Sequence, residues 1–310
     1  MKVLVTGATG FVGACLSRRL LETGHEVHAF VRRSANLWRL AEIAPHIVQH
    51  DVDLRDAHAV EQAVASIRPG KIFHLATYGG FSFQKDVDAI YAANLLGTVN
   101  LVQACEKVGF DCFIHTGSSS EYGIKSVPMK ETDLLEPLGD YAVSKAAATL
   151  YCRSAALLKG LPIVTLRIFS PYGPWDDPQR LIPYVIASLL SGTVPALSNP
   201  AFVRDYIFID DVIDAYLAVM AADIIAGEIY NVGSGRQTGI GEAVDRIVTV
   251  LDNGITPRWG AEPPRKTEPA VWVADTGKLQ SHFNWKAATS LEGGLQQTVG
   301  WMREHLASYI

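Results

Sequence analysis

The sequence predicts an α/β fold: a doubly wound parallel sheet with a smaller C-terminal lobe. Three observations predict it. Between residues 2 and 169, short apolar runs rich in β-branched residues alternate with segments of helical apolar spacing, the pattern of strands and crossover helices in a sheet covered on both faces. The first run breaks into a glycine turn that opens a helix. Beyond residue 170 proline, glycine and aromatic residues become dense. The chain therefore divides into a sheet domain, residues 1–169, and a lobe built mostly from residues 170–310.

Taken in order, KVLVTG (2–7) is the first strand, and FVGACLSRRLLETG (11–24) is a helix ending on Gly24, suited to a helix C-cap. HEVHAFVR (25–32) and IVQHDVD (47–53) are the second and third strands, and HAVEQAVASI (58–67) is a helix. KIFHLAT (71–77) is the fourth strand, followed by a long helix over 89–109. DCFIHTGS (111–118) is the fifth strand, 144–160 a helix and LPIVTLRIF (161–169) the sixth strand. In the lobe, helices over 181–191 and 210–222 and a strand, GEIYNVGS (227–234), lie among loops such as SPYGPWDDPQRLIP. No internal repeat or low-complexity segment interrupts the chain.

Composition narrows the function. The 310 residues are 48% hydrophobic with a formal net charge of −5, enough apolar material for a large core. No basic run or basic–aromatic stripe points to nucleic acid. No stretch approaches the ~20 apolar residues of a membrane span, and the first residues are too short and glycine-rich for a secretion signal. Cys15, Cys105, Cys112 and Cys152 lack C-x-x-C spacing and read as free thiols of a cytoplasmic protein. The nine histidines are scattered, and no metal site is expected.

The glycine turn reads Gly7-Ala-Thr-Gly10-Phe11-Val12-Gly13. Glycines let the backbone turn tightly and approach a pyrophosphate, which then rests on the helix N-terminus. The spacing is G-x-x-G-x-x-G, but its strand–turn–helix setting is the one a dinucleotide site needs. At the end of the second strand, an acidic residue commonly binds the ribose 2′-hydroxyl of NAD, whereas an arginine accommodates the 2′-phosphate of NADP. Here Val31 is followed by Arg32 and Arg33, a charged fork for phosphate, so NADP(H) is favoured and NAD(H) is the alternative. Asp53 and Leu54 follow the third strand, where the adenine edge lies.

TGSSSEYG (116–123) follows the fifth strand, at the carboxyl edge where such sheets bind ligands. It has no G-x-S-x-G elbow, and His115 lies in the strand itself, so a serine nucleophile is not indicated. Farther on, Tyr141 and Lys145 stand four apart, on one face of a helix. A lysine beside a tyrosine favours the phenolate and brings the phenol towards usable acid–base chemistry, and a serine hydroxyl can bind the same substrate oxygen.

GATGFVG, NLLGT (94–98), GSSSEYG and YAVSK, in this register, resemble an extended short-chain dehydrogenase/reductase, and within it the nucleotide-sugar epimerases, dehydratases and 4-keto reductases. The resemblance covers nearly the whole chain. It implies a Rossmann-type sheet with a substrate-binding lobe, Tyr141 as acid/base, Lys145 on the nicotinamide ribose and Ser118 as the active-site hydroxyl. It implies that Asn94 fixes the helix geometry or the ribose, and that Leu75, Ala76 and Phe169 complete the cofactor site. Ser119 and Ser120 orient substrate. The family's R-x-F-N-x-x-G-P appears as Arg167-Ile-Phe169-Ser170-Pro-Tyr-Gly-Pro174, with Ser170 replacing the asparagine. Leu181 borders the nucleotide base, and Arg204 and Arg265 match the phosphate-binding arginines. A homodimer through the helices at 89–109 and 144–160 is implied, with Ala146, Ala147 and Ala148 allowing close packing.

Sugar-nucleotide dehydratases carry their acid/base glutamate three residues before the glycine of this loop. That place is Ser120; Glu121 is one residue late. The leading expectation is therefore an NADPH-dependent reduction of a nucleotide-linked 4-keto-6-deoxyhexose. An NAD-dependent 4-epimerase using the same residues is the alternative, and a dehydratase ranks below both. A cofactor-sensing binding module is the non-enzyme reading; such relatives lack the Tyr/Lys pair.

Overall fold

The computed structural model describes residues 1–261 and 269–310. Its centre is a seven-stranded sheet of β1 (Lys2–Thr6), β2 (Glu26–Val31), β3 (Val48–Asp51), β4 (Lys71–His74), β5 (Cys112–Ser118), β6 (Ile163–Ile168) and β10 (Ile229–Val232), in the order β10-β6-β5-β4-β1-β2-β3. Every pairing is parallel. This is the doubly wound Rossmann-type sheet that the alternating pattern predicts. A parallel strand buried on both faces needs no polar alternation: Val3, Leu4 and Val5 are all fully buried, with Val3 and Val5 in one core cluster and Leu4 in the other.

Helices α1 (Phe11–Glu22) and α7 (Ile209–Ala221) pack side by side on one face. The other face carries α2 (Ala57–Ile67), α4 (Gly97–Val108) and α5 (Asp140–Lys159). Because β1 lies between β2 and β4, the chain winds outwards in both directions from the β1–β4 pair. That reversal opens a crevice above the strands' carboxyl ends, where sheets of this kind bind ligands.

The segment predicted as a helix over 89–109 is α3 (Val87–Tyr91), one π-helical turn over Ala92–Leu96, and α4. Such turns disturb the regular hydrogen-bond ladder and recur at functional sites; this one contains Asn94. Helix α5 begins a turn earlier than the apolar spacing indicates, directly after Gly139 at φ +86°. Asp140 in its first turn complements the helix dipole. Tyr141 is thereby helical, one turn before Lys145. Of the three alanines expected at a dimer face, Ala146 and Ala148 are buried within the chain, and only Ala147 is partly exposed.

The remaining elements build the lobe: β7 (Ser170–Tyr172) beside β9 (Tyr206–Phe208), β8 (Val203–Arg204) beside β11 (Thr238–Gly239), and helices α6 (Leu181–Leu190), α8 (Ile240–Leu251), α9 (Gly277–Phe283) and α10 (Leu291–Glu304). The strand predicted over 227–234 is not part of this lobe: as β10 it pairs with β6 and forms the edge of the central sheet. Among the described residues no helix is long and apolar enough to cross a membrane, and no group of histidine, cysteine, aspartate or glutamate side chains could hold a metal ion.

Candidate active site

A cleft of about 1050 Å³ runs along the carboxyl edge of the sheet and under the lobe. One end is the glycine turn. Gly7 has φ +73°, and a Cβ there would stand 2.6 Å from the Ala76 nitrogen. A Cβ on Gly13 would stand 2.2 Å from the Gly7 carbonyl oxygen. Side chains are thus excluded from both positions, and the turn closes through a 2.9 Å bond from the Gly10 N–H to that same carbonyl. Gly10 is the N-cap of α1 and has no side chain to satisfy the first-turn N–H groups, which leaves them to receive an anion. Gly7, Gly10, Phe11, Val12 and Gly13 all line the cleft. A dinucleotide pyrophosphate fits this cradle.

Leu75 lines the same end, its N–H bonded to the Thr6 carbonyl at 3.1 Å. Ala76 lies directly beneath Gly7 and packs into the core. A buried residue that sequence reasoning missed, Arg39, reaches the turn from the excursion between β2 and β3. Its Nε donates to the Trp175 carbonyl at 2.7 Å, and its Nη1 lies 3.5 Å from the Thr9 carbonyl.

At the tip of β2 the structure departs from the predicted arginine fork. Arg33 Nε donates to Asp51 Oδ2 at 3.0 Å, and the Arg33 backbone N–H binds Asp51 Oδ1 at 3.1 Å. The parallel register sets Val31 beside Asp51, so an acid absent from the second strand is supplied by the third. Arg32 is exposed and in no ion pair among the described residues; its charge helps hold the Asp53 carboxyl below its usual range, after the larger effect of the Arg55 bond. Leu54 is buried against Gly97.

The middle of the cleft holds Ser118, Thr116 and Tyr141. Lys145 is buried, its Nζ donating to the Thr116 carbonyl at 2.5 Å. Burial pushes this ammonium down to about 8. Burial also raises the Tyr141 phenol, against the opposing pull of the Ser118 hydroxyl, the Arg180 charge and the Thr77 hydroxyl. The expected lowering by Lys145 is not found: Lys145 is not among the groups that shift the phenol, and burial disfavours the charged form of each partner. Asn94 is buried in its π turn. Its Nδ2 donates to the Tyr78 carbonyl and to Ser144 Oγ, and its Oδ1 accepts from the Tyr78 N–H at 2.8 Å and from Thr77 Oγ1 at 3.2 Å. Of the two roles expected for Asn94, this geometry is that of a framework residue.

The serine loop is a single 3₁₀ turn over Ser119–Tyr122, capped by Ser118. Ser119 and Ser120 line the cleft. Glu121 does not; it is completely buried. One carboxylate oxygen accepts from the Ser118 N–H at 2.8 Å and the Thr149 hydroxyl at 3.0 Å, and the other accepts from Arg167 Nε at 2.8 Å. His115 is buried in β5 with neither ring nitrogen hydrogen-bonded, and burial, reinforced by Lys145, holds it well below its ordinary range. It does not serve as a base for the serines.

Phe169, at the end of the sheet domain, and Ser170, Leu181 and Arg204 from the lobe line the cleft. Arg204 lies 5.9 Å above the Trp272 ring and donates to the Val203 carbonyl at 2.7 Å. Arg265 lies outside the described residues. Arg180, which sequence reasoning passed over in favour of its neighbour Leu181, reaches across to the sheet domain. Its guanidinium sits 4.7 Å over the Phe81 ring. The signal for it was present in the placement of a cation directly before the apolar start of a helix.

Ser118 and Tyr141 in mid-cleft, with Lys145 buried behind them, lie between the glycine turn and the lobe's Arg180 and Arg204, an arrangement that agrees with what comparison with known proteins finds. The chain belongs to the NAD dependent epimerase/dehydratase family, whose model matches residues 3–233. It is 30% identical to a UDP-glucose 4-epimerase of Mycolicibacterium smegmatis, over 98% of this chain and 99% of that protein. Among solved structures it is similar to the UDP-glucose 4-epimerase of Thermotoga maritima with UDP-glucose (TM-score 0.91, 26% identity, 99% and 100% of the two chains covered). It is also similar to DesIV, a dTDP-glucose 4,6-dehydratase of Streptomyces venezuelae with NAD bound (TM-score 0.90, 28% identity, 100% and 99% covered).

Proposed function

We propose that this chain is an enzyme that reduces the 4-keto group of a nucleotide-linked 6-deoxyhexose with NADPH. The observation that separates this reading from a dehydratase is the withdrawal of Glu121 into the core, which leaves serines as the cleft-facing side chains of the loop, without a carboxylate for water elimination. The dinucleotide, when bound in the glycine cradle, supplies the hydride. Tyr141 donates the proton to the C4 oxygen, Ser118 binds that oxygen, and Lys145 replenishes the proton or holds the ribose. Ser119, Ser120 and Ser170 orient the sugar, Leu181 borders the base, and Arg204, with Arg265, meets the diphosphate. Arg32 favours the 2′-phosphate of NADPH.

A second reading has its own observation. Asp51 stands beside the tip of β2, near enough in the fold to offer the carboxylate that β2 lacks, and this favours NAD and a 4-epimerase. The two readings separate in one experiment: incubation with a panel of 4-keto nucleotide sugars and of UDP- and dTDP-hexoses, with NADPH, NADH or neither. Consumption of NADPH with a 4-keto substrate supports the reductase. Interconversion of hexoses without reductant, by protein carrying stoichiometric NAD, overturns it.

The protein is also proposed to be a homodimer. Leu96, beside α4, and Val143, Leu150 and Leu157 on α5 are 36–60% exposed along one two-helix face, apolar surface that a second copy would cover. Sedimentation of the wild type and of Leu150→Glu tests this.

A further inference from the structure

We propose that Glu121, paired with Arg167, is the positioning residue of the active site: it locks the Ser118 backbone and the turn of α5 that follows Lys145 into one register. This rests on the reading of Ser118, Tyr141 and Lys145 as the reacting group. The geometry is specific. The carboxylate oxygen that receives the Ser118 N–H also receives the hydroxyl of Thr149, which lies four residues after Lys145 and so on the same helix face. One atom thus connects the loop that presents the serine to the helix that presents tyrosine and lysine.

The carboxylate is itself immobilised. Arg167 is 1% exposed, gives its Nε to Glu121, and gives Nη1 to the Tyr122 hydroxyl at 3.0 Å. Tyr122 in turn donates to Asn231 Oδ1 at 2.7 Å. Room for the pair is made by Gly117, where a Cβ would stand 2.7 Å from Glu121 Oε1 and 3.0 Å from Arg167 Cγ. The parallel register places Gly117 beside Arg167, so the space and the partner arrive together. A buried charge held this tightly acts as a fixed dipole beside the reacting group. The charges facing Tyr141 are Arg180 from the lobe and Glu121 from the loop, with the Ser118 and Thr77 hydroxyls close by; Glu121 opposes the phenolate and supports the Lys145 ammonium.

The test compares Glu121→Gln, Glu121→Ala and the neutralised double variant Glu121→Gln/Arg167→Gln, each first checked for folding by cooperative melting and cofactor titration. The glutamine keeps an oxygen for Ser118 and Thr149, so it should hold turnover within about tenfold of wild type. The alanine leaves the Ser118 N–H unpaired and should lower kcat by about a hundredfold with KM little changed. A readout independent of substrate is the ultraviolet titration of Tyr141, isolated by subtracting the same titration in a Tyr141→Phe background. Loss of the carboxylate charge in Glu121→Gln should move that step down. If the single variant does not fold, the double variant, which leaves no unpaired charge, carries the same kcat and titration measurements. Folded variants with wild-type kcat and an unmoved Tyr141 titration would reduce Glu121 to scaffold and overturn the proposal. A folded glutamine variant as inactive as the alanine would instead make Glu121 a proton donor, and also overturn it. Full turnover in Tyr141→Phe would sink the reading of the reacting group instead, whatever Glu121 does.

Discussion

Asn94 donates a hydrogen bond to Ser144 at 2.9 Å across 50 positions of sequence, joining the π turn before α4 to the residue that precedes Lys145. The same amide accepts from and donates to Tyr78, so one side chain closes the floor of the cleft. Replacement by alanine leaves the Tyr78 N–H and the Ser144 hydroxyl short of partners. Asn94→Ala should lose about 1–3 kcal/mol of stability, read by denaturant unfolding. Its kcat should fall with dinucleotide affinity reduced by less than tenfold.

The glycine turn makes a sharper prediction. A methyl on Gly13 has nowhere to go but into the Gly7 carbonyl, so the turn must open by more than an ångström. Gly13→Ala should cost about 1–3 kcal/mol in stability and weaken dinucleotide binding by at least tenfold, about 1.4 kcal/mol. Fluorescence titration with NADPH and NADH checks it. Unchanged affinity would remove the turn from the cofactor site.

Cofactor choice divides the two arginines. Arg33 pairs with Asp51, whereas Arg32 is in no ion pair among the described residues. NADPH should bind at least tenfold more tightly than NADH, and Arg32→Ala should erase most of that difference, because a charge-assisted bond contributes about 1.5–3 kcal/mol. Arg33→Ala should change the ratio by less than threefold. An equal effect at both positions would restore the fork.

Asp176 carries a pH dependence. Burial is the main cause that pushes its carboxyl up to about 7, against an ordinary value of 3.8. The folded chain therefore keeps a proton that the unfolded chain has released. Stability from this group is complete below the unfolded value, falls as pH rises from about 4 to 7, and is flat above. Asp176→Asn keeps an oxygen for the Asp177 N–H, which Asp176 binds at 2.7 Å. The variant should melt higher than wild type at pH 8 and equal to it at pH 4. A gain of the same size at both would show that the carboxyl does not titrate in this window.

Local pattern made much of this molecule legible in the sequence. Period, glycine spacing and the Tyr141–Lys145 interval depend on neighbours in the chain, and strands, turn and helix face followed from them. What stayed hidden depends on strand register. Nothing near Arg33 reveals that Asp51 will stand beside it, and nothing in GSSSEYG reveals that Arg167 on the adjoining strand will take Glu121 out of the cleft. Sequence spacing did place Glu121 one residue late, and the burial of that side chain agrees. Helix α8 was not expected: it stands between proline- and glycine-rich loops that mask the period of its apolar face, where Ala243, Val244, Ile247 and Leu251 are buried.

Strand β10 has a consequence for how the chain is made. Its partner β6 ends at Ile168, yet β10 begins only at Ile229, so the open edge of the sheet waits for some sixty residues of synthesis before it is covered. A polypeptide stopped at residue 169 would present the β6 edge to other chains and would lack Asn231, which anchors Tyr122. The part of the chain after residue 169 is therefore no detachable accessory to the sheet. Until that distant strand arrives, the open edge leaves the emerging sheet exposed to association with its copies.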